Sequence, residues 1–168
     1  MTEEQWHPLI AQSLARTLGL RPEFLLPEVP TRDGSRADLV YVYGRRVVVF
    51  EVKGAEAGEA AAVLDARALR QLRHFADGAD AVYLVTVATP RQLSMSPDAR
   101  VVVAEPLEAQ LVPEGVGWVL FDRLSLAATV VKPAAELAPK PEARRHLCDE
   151  ILARLGRVQA SVKECRQR

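Results

Sequence analysis

Apolar side chains fall at Trp6, Leu9, Ile10, Leu14 and Leu18, then stop at Gly19, and the run is preceded by Thr2-Glu3-Glu4-Gln5. Spacings of three and four residues behind a capping box predict a first helix. The apolar run from Glu23 to Val29 is short and bounded by prolines, which suits an edge strand or a covering segment. Thr31-Arg32-Asp33-Gly34-Ser35 is turn chemistry. Two β-rich runs follow, Arg36 to Tyr43 and Arg46 to Lys53, joined by Gly44-Arg45. Both alternations of these runs are apolar, so the hairpin they form is expected in the middle of a sheet, covered on both faces. Gly58 to Asp77 reads as a helix with Leu64, Ala68, Leu72, Phe75 and Ala76 inward. Asp80 to Val87 reads as a buried strand, and a helical crossover before it predicts parallel pairing with the Arg46 to Lys53 strand.

Past Pro90 the pattern supports a strand over Arg100 to Val103, then a hairpin of Gly117 to Phe121 and Ala127 to Val131 around Arg123-Leu124-Ser125. Pro133, Pro139 and Pro141 mark a break. A long amphipathic helix is expected from Glu142 to about Arg166, with Leu147, Ile151, Leu155, Val158 and Val162 on one stripe. The order of elements predicts an α/β fold, a three-layer α/β/α sandwich around a central mixed sheet. We divide it into a core domain over 1–135 and a C-terminal helix over 139–168 that packs on the core or on the second copy of a homodimer.

Composition narrows the function. The 168 residues are 49% hydrophobic and carry 22 basic and 22 acidic side chains. That size and balance fit one globular domain and argue against binding to nucleic acid through bulk charge. The segment from Lys140 to Arg168 holds 8 basic and 4 acidic residues, a net +4 against −4 for the rest, which an amphipathic packing helix explains as well as a nucleic-acid contact does. Cys148 and Cys165 are too few and too close to the end of the chain to staple a fold, and no apolar run approaches the roughly 20 residues of a membrane span, so a cytoplasmic protein with reduced thiols and no membrane association is expected. No phosphate loop, nucleophile elbow or dinucleotide glycine fingerprint is present, which predicts no nucleotide cofactor. His7, His74 and His146 are scattered and do not form a zinc pattern.

The chemistry concentrates in the central hairpin. With Gly44-Arg45 as a two-residue turn, Tyr43 faces Arg46, and counting outward puts Asp38 opposite Glu51 and Arg36 opposite Lys53 on one face. Opposed Cβ atoms lie roughly 4.5 to 5.5 Å apart. Two carboxylates held that close, in apolar surroundings, repel each other. A divalent cation such as Mg²⁺ or Mn²⁺ offsets the cost, and so does a proton shared by the pair.

Asp38, Glu51-Val52-Lys53 on the next strand, and Gln71-Leu72-Arg73-His74-Phe75 on the following helix together resemble the PD-(D/E)XK superfamily of restriction-endonuclease-like nucleases. Ala37 stands where that pattern has proline, and Phe75 where exonuclease-like branches have tyrosine. The resemblance covers about Thr2 to Val87. It implies a metal-dependent nuclease acting on DNA in repair, recombination or defence. In that reading Asp38, Glu51 and the backbone carbonyl of Val52 bind Mg²⁺, Lys53 serves the attacking water and the phosphate, and Gln71 contacts the water or a phosphate. It also points to Glu3 on the first helix as a further acidic ligand. Separately, Arg67, Arg70 and Arg73 recur at three-residue intervals along one helix, which suits a solvated face or, with Arg36, a set of contacts to nucleic acid. The alternative is a catalytically silent DNA-binding or assembly subunit on the same fold.

Overall fold

The computed structural model of the chain describes residues 3–30, 36–54, 66–88, 114–153 and 159–166. In chain order the elements are α1 (Glu3–Leu18), a single 3-10 turn (Pro22–Phe24), β1 (Leu25–Pro30), β2 (Arg36–Tyr43), β3 (Arg46–Gly54), α2 (Ala66–Gly78), β4 (Ala81–Ala88), β5 (Gly117–Asp122), β6 (Ala128–Lys132), α3 (Pro141–Leu152) and α4 (Gln159–Arg166). The six strands form one sheet in the order β1-β2-β3-β4-β5-β6. The β3–β4 and β4–β5 pairs are parallel and the others antiparallel, so the sheet is mixed.

Strand alternation explains the two cores. One face of the sheet presents Leu39, Tyr41, Val48, Phe50, Val52, Val85 and Phe121 to Ile10 and Leu14 of α1. The other presents Val40, Val42, Val47, Val49, Val82 and Leu84 to Ala68, Leu72 and Phe75 of α2, to Leu147 and Ile151 of α3, and to Val162 of α4. This is the expected three-layer α/β/α sandwich. β3 is apolar at successive positions because each face is roofed by helices, and each fully buried aliphatic or aromatic side chain contributes roughly 1.5–3 kcal/mol.

The central hairpin holds the register read from the sequence: Tyr43 pairs with Arg46, and the ladder runs to Leu39 opposite Phe50. Gly44 opens the turn at φ +61°, a conformation that L residues rarely adopt. The expected long C-terminal helix is two helices, α3 and α4, with 154–158, and so Leu155 and Val158, outside the described residues. The expected strand over 100–103 and the first part of the 58–77 helix, including Leu64, also lie outside them.

α3 is bound to the sheet by a buried charge pair. Arg144 Nη2 lies 2.6 Å from Asp80 Oδ2, and Arg144 Nη1 donates to the Gly78 carbonyl at 3.0 Å. The same Asp80 oxygen accepts from the Val47 amide at 2.8 Å. A charge on α3 thus closes the start of β4 against β3.

Candidate active site

The site sits where the β2–β3 ladder ends. Past Leu39–Phe50, a continued ladder would send the Val52 amide to the Ala37 carbonyl. It donates instead to Asp38 Oδ2 at 2.7 Å. The backbone rotates at this point. Ala37 and Leu39 are two apart and would share a face in a regular strand, yet Ala37 packs with the α2 side and Leu39 with the α1 side. β1 does the same: Leu25 packs toward α1 and Val29 toward α2. Between the pairs Pro27–Leu39 and Val29–Ala37, Glu28 stands opposite Asp38 and has φ +51°. A non-glycine residue held there carries strain of about 1–3 kcal/mol, a feature that clusters at functional sites.

The rotation gathers three titratable groups. Glu51 is 2% exposed, and its carboxyl lies against that of Asp38. His7 reaches the cluster from α1, with Nε2 3.8 Å from Asp38 Oδ1 and its side chain 4% exposed. Among the described residues neither ring nitrogen of His7 makes a hydrogen bond. Burial pushes the Asp38 carboxyl above its ordinary value; the Val52 amide, the contact with Glu51 and the charges of His7 and Lys53 oppose that shift without cancelling it. Lys53, half-buried at the end of β3, is thus close enough to act on Asp38 electrostatically. The cluster lies at the carboxyl end of the parallel strands β3, β4 and β5, where open α/β sheets place their ligands.

The structure therefore brings Asp38, Glu51 and Lys53 together and adds His7, which the sequence reading left among scattered histidines. The signal for it was available, since His7, Ile10 and Leu14 follow at spacings of three and four and share the buried stripe of α1. Gln71 is half-buried beside the apolar stripe of α2, Phe75 is a core residue of that stripe, and Arg67, Arg70 and Arg73 are exposed on the same helix. None of these four polar side chains reaches Asp38 or Glu51 by a hydrogen bond or ion pair among the described residues. Glu3 begins α1 and Arg36 begins β2, and both side chains lie outside the described residues.

The donor chemistry suits a hard divalent cation. Mg²⁺ is commonly held by one or two carboxylates with water completing its shell, and Asp38 and Glu51 supply two. Among the described residues no group of three or more His, Cys, Asp or Glu side chains is arranged as a metal cage.

No protein-family model and no curated protein matches the sequence. Among solved structures, the chain is similar to the SPO1766 protein of unknown function from Silicibacter pomeroyi, with a TM-score of 0.52 and 17% identity over 91% of this chain and 86% of that one. That likeness supports the fold alone. A second solved structure, Pyrococcus furiosus SfsA in complex with Ca²⁺, aligns at a TM-score of 0.40 and 17% identity over 79% of this chain and 64% of that one. No helix among the described residues is long and apolar enough to cross a membrane.

Proposed function

We propose that the chain is a metal-dependent nuclease of the restriction-endonuclease-like, PD-(D/E)XK type, hydrolysing phosphodiester bonds in DNA. The observation that carries this reading is the buried Asp38–Glu51 carboxyl pair at the end of the central hairpin, with Lys53 two residues beyond Glu51 and His7 against Asp38. Burying two acids side by side weakens a fold, and a site that binds a divalent cation gives that cost a use. Asp38, Glu51 and the Val52 carbonyl would hold Mg²⁺ or Mn²⁺, with His7 as an additional donor at the edge of the cluster. A cation bound there lowers the pKa of coordinated water and polarises the scissile phosphate. Lys53 would face the charge that develops on the phosphate and orient the attacking water. The strained backbone at Glu28 in β1 and the Val52–Asp38 hydrogen bond would hold the carboxylate in place before any ligand arrives.

The test is cleavage of single-stranded, duplex and branched DNA with Mg²⁺ or Mn²⁺. Wild type is expected to cut, and Glu51→Ala and Lys53→Ala are expected to lose activity. Metal-dependent cutting that survives both changes would remove this cluster from catalysis.

A second reading is a silent nuclease-fold subunit that binds DNA or assembles with other proteins. The observation favouring it is the small donor set, with no group of three or more metal-capable side chains among the described residues. Calorimetry separates the two: a catalytic site takes up Mn²⁺ and loses it in Asp38→Asn, and a silent one shows no specific uptake in either.

A further inference from the structure

β5 ends in a turn that carries a cation and two apolar side chains to the edge of the sheet where the carboxylates lie. In the parallel ladders Gly54 stands beside Val87, and Val87 beside Phe121, so β3, β4 and β5 finish together. The β5–β6 turn therefore leaves the sheet at the same edge as the Asp38–Glu51 cluster, two strands and about 10 Å from β3. Its shape is fixed from within. Asp122 Oδ1 accepts from the Leu124 amide at 2.9 Å, and the Asp122 carbonyl accepts from the Leu126 amide at 2.9 Å. Leu126 takes φ +58°, where a leucine is strained, and is 40% exposed; Leu124 is 79% exposed. Turn stability alone favours glycine or asparagine in that conformation and polar residues at such a tip.

α1 meets this turn through one ring. Trp6, half-buried, packs edge-on against Phe121 with centroids 6.1 Å apart, and the guanidinium of the half-buried Arg123 lies over its indole, 5.8 Å from the ring centroid. Trp6 precedes His7, so the indole leaves the same turn of α1 as the imidazole that faces Asp38. A guanidinium stacked on a ring is held by its face, and its N–H donors point outward in its plane, the geometry that grips a phosphate by two parallel bonds. An aromatic ring, an arginine and an exposed apolar side chain side by side are the parts with which single-stranded nucleic acid is bound. Bases stack on the ring or lie on the apolar surface, and the backbone meets the cation. A duplex keeps its base faces covered and offers such a surface only its phosphates.

We propose that Trp6, Arg123 and Leu124 form a seat for an unpaired DNA strand, holding a base and its phosphate beside the carboxylate pair. As a statement of what is cut, single-stranded in preference to duplex DNA, it rests on the nuclease reading above; as a binding surface it does not.

Trp6 and Trp118 are the two tryptophans of the chain, so Trp118→Phe leaves emission from Trp6 alone. With chelator present, so that no metal-dependent cutting occurs, an oligothymidylate of about 12 nucleotides is expected to quench that emission, and a duplex of the same length to bind about fivefold more weakly or worse. Arg123→Ala and Leu124→Ala change the turn and leave the core intact. Each is expected to raise Kd for the labelled strand, read by anisotropy in the otherwise wild-type chain, about fivefold or more. Unchanged Trp6 emission at saturating strand, wild-type affinity in both variants, or equal affinity for duplex overturns the proposal. Cleavage separates it from the nuclease reading. Strand binding through this seat with no cutting in Mg²⁺ or Mn²⁺ keeps the seat and removes the nuclease. Single-strand cutting that is insensitive to Arg123→Ala and Leu124→Ala, while Glu51→Ala is dead, keeps the nuclease and removes the seat.

Discussion

Asp38→Asn tests the cost of the acidic cluster. The substitution keeps an oxygen for the Val52 amide and its amide N–H can donate to Glu51, so it removes a charge and little else. Like charges facing each other across a sheet are destabilising on a scale of roughly 0.2–1 kcal/mol. Here Glu51 is 2% exposed and the Asp38 side chain 16%, which leaves little water to screen them and places the effect at the upper end of that range, about 1 kcal/mol. For a chain of this length that corresponds to a rise in Tm of about 2–4 °C in metal-free buffer. The pH dependence has a definite sign. Asp38 in the folded chain has a pKa raised above the ordinary 3.8, so between those two values the folded state binds a proton that the unfolded chain has released. Wild-type stability then falls as pH rises through that window, and the penalty is complete above it. The advantage of Asp38→Asn should therefore be small near pH 4 and largest at pH 8, and saturating Mn²⁺ should reverse the ranking by stabilising wild type alone. Calorimetric or fluorescence-detected melting at pH 4, 6 and 8 measures this. A variant less stable than wild type at pH 8, or a difference that does not change with pH, would refute the reasoning.

Other parts of the fold give sharper stability effects. Arg144→Met leaves Asp80 buried without its cation and should cost about 3–5 kcal/mol in urea unfolding; a loss below 1 kcal/mol would show that α3 is not held by this pair. Gly117→Ala should destabilise measurably, because a Cβ there would lie 2.6 Å from both the Ala134 amide nitrogen and the Tyr83 ring; a melt equal to wild type would contradict that packing. Cys148, whose thiol burial and the neighbouring Cys165 push up to about 12, should resist Ellman's reagent in the native protein at pH 8 and react in denaturant, and rapid native reaction would place it at the surface.

The hairpin was legible in the sequence because its determinants are local. Gly44 permits the tight turn, two-residue turns fix register, and unbroken apolar runs demand cover on both faces. The parallel pairing of β3 and β4 followed from the crossover rule. What was not legible depends on contacts between distant segments. Nothing in Ala37-Asp38-Leu39 announces that the strand rotates there, because the rotation is set jointly with Glu28 on the neighbouring strand. His7 and Arg144 were hidden for a common reason: each is a polar residue on the buried stripe of its helix, at spacing three from Ile10 and Leu147 respectively, and reading only apolar positions passes over both. The partner each one finds, Asp38 or Asp80, is on a strand far away in sequence. The α3–α4 division was missed because the apolar stripe runs on at helical spacing through Leu155 and Val158, so periodicity alone read one helix.

The central claim is that Asp38 and Glu51 are metal ligands. Crystals of wild type and of Glu51→Gln soaked in Mn²⁺ and measured at a wavelength where manganese scatters anomalously test it directly. The account predicts one strong anomalous peak touching both carboxylates in wild type, and no peak there in the variant. An absence of anomalous signal between the two carboxyls at saturating Mn²⁺ would contradict it.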